Sequence, residues 1–198
     1  MALAALRCEG EADRGILAER GIIPMHIAEM DFRLSCTMAI LTTLDRGCCE
    51  LLEKAGQNAA DYVEDHDAML GIGFIAVQTY IAGTIADLKR VFPARPIPAD
   101  LFRRHSVLIP STSLTQVEGI WAIANFVKHS DEWMDSDRKG RSATRDQLTQ
   151  IGVTKWGPTV CNDALTRIVG EWDGLKPLLG IARGWREAWF AELHGESA

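Results

Sequence analysis

Ala68-Met69-Leu70-Gly71-Ile72-Gly73-Phe74-Ile75-Ala76-Val77-Gln78-Thr79-Tyr80-Ile81-Ala82-Gly83-Thr84-Ile85-Ala86 is the stretch on which the fold of this chain turns, and no residue in it is formally charged. Its length approaches that of a membrane span. Gln78, Thr79, Tyr80 and the glycines Gly71, Gly73 and Gly83 dilute its hydrophobicity, and the sequence holds no second segment of this kind to pair with it. The reading that follows is a central helix from about Ala68 to Phe92, buried on all sides within a soluble bundle rather than in a membrane. The glycines would let neighbouring helices approach closely.

Upstream, apolar residues recur at threes and fours. Ile27, Met30, Leu34, Met38, Leu41, Leu44, Cys48, Leu51, Ala55, Ala59 and Val63 trace one helical stripe, and no proline interrupts the chain between Pro24 and Pro93. Pro24 suits the first turn of a helix, where its missing N–H costs nothing. A long helix from about Pro24 to Glu64 is expected, bent near Gly47 or Gly56, with Asp65-His66-Asp67 as the turn into the central helix. The two would form an antiparallel hairpin.

Downstream, Pro93-Ala94-Arg95-Pro96-Ile97-Pro98 cannot be helical throughout and marks a corner. A short helix is expected around Ala99–Ser106, then a loop at Pro110–Ser113. Ser113 or Thr115 would cap a helix from about Leu114 to Met134. Asp135 to Ala143 reads as an exposed loop, Arg145 to Ile151 as a short helix stopped by Gly152, and Pro158 as the start of a helix to Val169. A last helix carries Ile181, Trp185, Trp189 and Phe190. The only strand-like alternation is Ser106-Val107-Leu108-Ile109. The expected architecture is all-α, one helical bundle built on a long antiparallel N-terminal helix hairpin, in a single domain over 1–198.

Composition narrows the function classes. The 198 residues can bury a sizeable core without disulfides or metals. A net charge of −6 argues against a broad nucleic-acid footprint, which needs Lys and Arg, but leaves room for a small basic site. The five cysteines are odd in number and none has zinc-ligand spacing, so free thiols in a reducing, cytoplasmic compartment are expected. The opening residues have no apolar core of signal-peptide length.

The segment with the most unusual composition is Gly119-Ile120-Trp121-Ala122-Ile123-Ala124-Asn125-Phe126-Val127-Lys128-His129-Ser130-Asp131-Glu132-Trp133. On a helix, Asn125 and His129 share one face four residues apart, and Lys128 stands beside them at an awkward place for an ammonium group unless the helix has reached an edge. A polar cluster at the end of an apolar helix is one way for a bundle to present a site. The same residues also suit a structural role, with Asn125 bonded to a neighbouring helix and His129 against a carbonyl.

Ala124-Asn125-Phe126-Val127-Lys128-His129 resembles the Arg-Asn-x-x-x-His signature of HEPN-domain proteins with its arginine replaced by Ala124. The resemblance covers about 24–134 and leaves 135–198 as additional C-terminal helices. It implies a helical, typically dimeric protein, in many members a metal-independent ribonuclease of toxin or defence systems. On that reading His129 is the general base, Lys128 the phosphate-neutralising cation in place of the arginine, and Asn125 the orienting group. Arg103 and Arg104 would reach in from the preceding loop. Arg138, Lys139, Arg141 and Arg145 form a basic patch just after the motif, which would either hold RNA backbone or be a solvated loop. No cofactor or metal is required. The partners implied are RNA and a second copy or partner protein, with no membrane. The alternative is a non-catalytic helical module that binds a protein or small ligand, antitoxin-like or regulatory.

Two further features have bland readings beside functional ones. Asp61, Glu64, Asp65, His66 and Asp67 could hold a divalent metal, or merely mark an acidic helix end. The tryptophans of the second half, Trp156, Trp172, Trp185 and Trp189 among them, serve either the core or an association surface.

Overall fold

The computed structural model describes residues 30–55, 59–129, 141–153, 159–170 and 174–195. They form α1 (Phe32–Ala55), α2 (Ala59–Val91), α3 (Gln116–Lys128), α4 (Arg141–Gln150), α5 (Val160–Val169) and α6 (Lys176–Gly195). The fold is all-α. Among the described residues the strand-like Ser106–Ile109 yields one isolated antiparallel bridge, Leu108 to Thr115. Two backbone bonds frame it, Ile109 N–H to Leu114 O and Gln116 N–H to Val107 O, each 2.8 Å.

α2 is the axis of the molecule and touches α1, α3, α5 and α6. α1 runs antiparallel to it: Arg33 meets Asp87 at one end, and Met69 lies over Gly47 nearer the other. α1 ends at Ala55 and α2 starts at Ala59, with 56–58 outside the described residues, and Asp65-His66-Asp67 lies within α2 rather than in the turn expected. Asp67 also has a task elsewhere. It accepts the backbone N–H groups of Cys161 (3.1 Å) and Asn162 (2.9 Å) and so caps α5 from a neighbouring helix, while Thr159 makes no side-chain cap bond there.

The buried apolar residues form a single cluster, from Leu41 of α1 to Leu148 of α4 and Trp189 of α6. Gly71 makes one close approach possible: a Cβ there would stand 3.0 Å from Val127 of α3, so α2 and α3 lie nearly backbone to side chain at that point. Pro93–Pro98 is non-helical, as its prolines require, but 99–105 makes hydrogen-bonded turns rather than the short helix expected. The indole N–H groups of Trp185 and Trp189 both donate to the Leu101 carbonyl, at 3.0 and 3.2 Å, and thereby pin those turns onto α6. α4 starts at Arg141, inside the span read as loop, and the chain leaves it through Gly152 at φ +82°, a conformation costly for other residues.

Two other expectations need correction. The tryptophans Trp185 and Trp189 are core, fully covered by their own chain, and offer no association surface; Trp156 and Trp172 lie outside the described residues. Nor is α2 buried all round. Ala68, Ile72, Thr79, Ala82 and Ala86 form an exposed stripe, with Ile72 50% accessible. By length and composition the segment Tyr62–Val91 could cross a membrane, and half of its most apolar window is buried inside the bundle.

Candidate functional site

α3 is built to be rigid at its start. Thr115 is the N-cap of a capping box: its Oγ1 accepts the Glu118 N–H, and Glu118 Oε2 accepts the Thr115 N–H at 2.8 Å. The Thr115 hydroxyl donates to the Phe102 carbonyl at 2.9 Å. Val117, Ile120, Ala122, Ile123 and Ala124 are then buried in sequence along the helix.

At the other end the helix emerges. Lys128 occupies the last turn and His129 the C-cap, and both are exposed. The backbone N–H of His129 closes the helix onto the carbonyls of Phe126 and Val127. One turn earlier, the Asn125 Oδ1 accepts the Gln78 side-chain N–H at 2.8 Å, and the same Gln78 amide donates to the Trp121 carbonyl at 3.3 Å. Gln78 is the polar residue that the uncharged α2 stretch carries into the α2–α3 contact. Asn125 is therefore oriented by the core, while Lys128 and His129 are presented to solvent. A lysine at a helix C-terminus also gains from the negative end of the macrodipole.

The other predicted residues do not join them. Arg103 lies at the opposite end of α3, 3.4 Å from Glu118 and 2.5 Å from the Ser113 carbonyl. Glu118 and Lys128 are ten residues apart on one helix, about 15 Å along its axis. Arg104 faces α6, where Glu192 Oε1 lies at 2.7 Å and the Trp189 ring at 5.5 Å. His105, at φ +61°, joins that group through Glu192 Oε2 at 2.5 Å. Arg141 begins α4; Arg138, Lys139 and Glu132 fall outside the described residues. Ala124, where the HEPN signature has arginine, is 0% exposed and faces the core.

No metal-ligating group of three or more His, Cys, Asp or Glu residues comes together among the described residues. Asp67, one of the acidic residues considered for that role, is engaged with α5. Burial raises its carboxyl pKa above the usual carboxylate range, against the lowering effect of the Asn162 and Cys161 N–H groups. A groove of about 380 Å³ between α1 and α2 is lined by Gly47, Glu50, Leu51, Lys54, Asp65 and Met69, and holds none of the residues expected to meet RNA.

A polar cluster outside the sequence reading is centred on the buried Asp87. Asp87 lies between two guanidinium groups, Arg33 at 2.5 Å and Arg186 at 3.2 Å. Arg186 also lies 3.5 Å from Asp31, whose carboxylate accepts the Tyr80 hydroxyl, and its guanidinium stacks 4.4 Å from the Phe190 ring. Two acids and two bases balance, so the cluster locks α1, α2 and α6 together and leaves no excess charge for a ligand. The sequence signal was Arg186 directly after Trp185 on the core face of a helix.

The sequence matches no protein-family model, and no curated protein or solved structure matches the chain. Function rests on the residues themselves.

Proposed function

We propose that this chain is a HEPN-like helical protein that meets RNA at the C-terminal end of α3 and cleaves it without a metal. The observation that carries the reading is the pairing of an exposed imidazole with an exposed ammonium, His129 and Lys128, at the open end of an otherwise buried helix. His129 takes the proton of a ribose 2′-hydroxyl, whose oxygen attacks phosphorus as the bond to the 5′-oxygen breaks. Lys128 neutralises charge building on the phosphoryl oxygens. Asn125, held by Gln78, orients phosphate or imidazole. In a symmetric dimer the second His129 returns a proton to the leaving 5′-oxygen. The products carry a 2′,3′-cyclic phosphate and a 5′-hydroxyl.

Purified chain with single-stranded RNA in EDTA tests this. His129→Ala is expected to lower cleavage by about two to four orders of magnitude with an unchanged helical spectrum. Cleavage that survives His129→Ala, or that EDTA abolishes, contradicts it.

The burial of Ala124 and the distance of Arg103 favour a second reading, a non-catalytic helical module that recognises a protein partner. On that reading the wild type cuts no RNA, and His129→Ala changes stability alone.

A further inference from the structure

The uncharged stretch of α2 ends on two adjacent exposed cations, Lys89 and Arg90. α1 begins beside them, because the Arg33 side chain crosses α2 over Gly83 to reach Asp87. The start of α1 is exposed and apolar: Phe32 is 66% accessible and Ile40 41%. Phe32, Cys36 and Ile40, all exposed, stand four residues apart and so share one side of the helix. No charged residue occurs in α1 from Leu34 to Leu44 or in α2 from Ala68 to Ala86. The threonines of this zone turn inward, since Thr79 donates to the Ile75 carbonyl and Thr43 to the Ala39 carbonyl, each at 2.9 Å. Their methyl groups remain for contact.

Charge at this end of the hairpin does not balance. Asp31 and Asp87 are matched by Arg33 and Arg186 within the buried cluster. Arg183 is matched by Glu187 at 2.7 Å. Lys89 and Arg90 are then in excess. At the other end of the hairpin Glu50, Glu53, Glu64 and Asp65 outnumber Arg46 and Lys54. A chain of net charge −6 thus carries one basic, apolar corner.

We infer that this corner, the start of α1 with the C-terminal part of the exposed α2 stripe, rests on an anionic lipid surface. Its two components suit the two layers of such a surface. Lys89 and Arg90 meet the headgroup phosphates, and Phe32 and Ile40 enter the boundary with the acyl chains. The chain lies on the bilayer and does not cross it, because half of the most apolar window of α2 is covered by its own bundle. RNA would fit less well, since it would lay phosphates along a face that offers them no free donor between the cations and Ala68.

The corner is also remote from the end of α3. Val127 of α3 packs on Gly71, and Lys89 lies 18 residues further along α2, about 27 Å. The inference is therefore independent of the RNA reading, and one can fail while the other holds.

Co-sedimentation of the full chain with vesicles provides the test, using phosphatidylcholine alone and phosphatidylcholine mixed with phosphatidylserine. Two cations at the surface predict binding about thirtyfold tighter to the mixed vesicles, a preference that added salt erodes. Lys89→Gln with Arg90→Gln should remove the preference. Phe32→Ser should weaken binding to both kinds of vesicle about tenfold and leave their ratio unchanged. These positions are exposed, so the helical spectrum should not change. A wild type that stays in the supernatant with the mixed vesicles at micromolar concentration overturns the inference. So does a preference that survives the loss of both cations, or binding indifferent to Phe32→Ser. A chain that ignores vesicles but loses RNA affinity when Lys89 and Arg90 are replaced assigns the corner to RNA and overturns it as well.

Discussion

Asp87 is 2% exposed and stands between Arg33 and Arg186, with Asp31 and Tyr80 completing the group. Replacing one member of a buried pair leaves an uncompensated charge in low dielectric. Asp87→Ala is therefore expected to cost about 3–5 kcal/mol, read from urea midpoints. Removing Asp87 and Arg186 together should cost less than the sum of the two single losses. The thiols give a second residue-scale prediction. Burial, reinforced by the Asp45 carboxylate, pushes the Cys48 pKa up to about 11, and burial beside Asp67 raises that of Cys161. At mildly alkaline pH iodoacetamide should label the exposed Cys36 and Cys49 and spare Cys48 and Cys161, as peptide mass spectrometry would show. The sign for stability follows: Cys48 favours the folded state in its protonated form, so its contribution holds below the unfolded pKa and declines as pH rises towards 11. Cys48→Ala should flatten that decline. None of these pairings was legible in the sequence, because Arg186 and Asp87 are brought together only by tertiary packing.

Among the elements, α3 shows most plainly how local chemistry sets a boundary. Thr115-Gln116-Val117-Glu118 is a capping box in the sequence and in space, and the same threonine also ties down the Phe102 carbonyl. Thr115→Ala should cost about 1–2 kcal/mol, measured as a fall in the thermal midpoint with the other helices still folded below it. Helix existence was legible wherever apolar residues recur at three and four. Boundaries were less so: the acidic run at 65–67 looked like a turn because its role as a cap for α5 depends on residues 94 and 95 positions away. α2 was read as wholly buried because the alanine, isoleucine and threonine on its outer face differ little in composition from a buried face. Its exposed stripe is visible only once the neighbours of each position are known.

At the scale of the whole molecule, the site and the core are separable. Asn125 belongs to the core through Gln78, whereas Lys128 and His129 reach solvent about 15 Å along α3 from Glu118, the partner of Arg103. The sequence could show that Asn125 and His129 share a face; it could not show that Arg103 would be spent on Glu118. With Lys128 as one phosphate-neutralising cation, RNA affinity should fall with salt at a log–log slope of only about −0.7. Nuclear magnetic resonance is the most direct check: a short uncleavable RNA oligonucleotide is titrated into labelled protein while the His129 imidazole, the Lys128 ammonium and the Asn125 amide are followed. The largest shifts should centre on His129 and Lys128, with a smaller response at Asn125 and none along Ala68–Ala86. Saturating RNA that leaves His129 and Lys128 unshifted would contradict the proposal that this end of α3 is where the chain meets RNA.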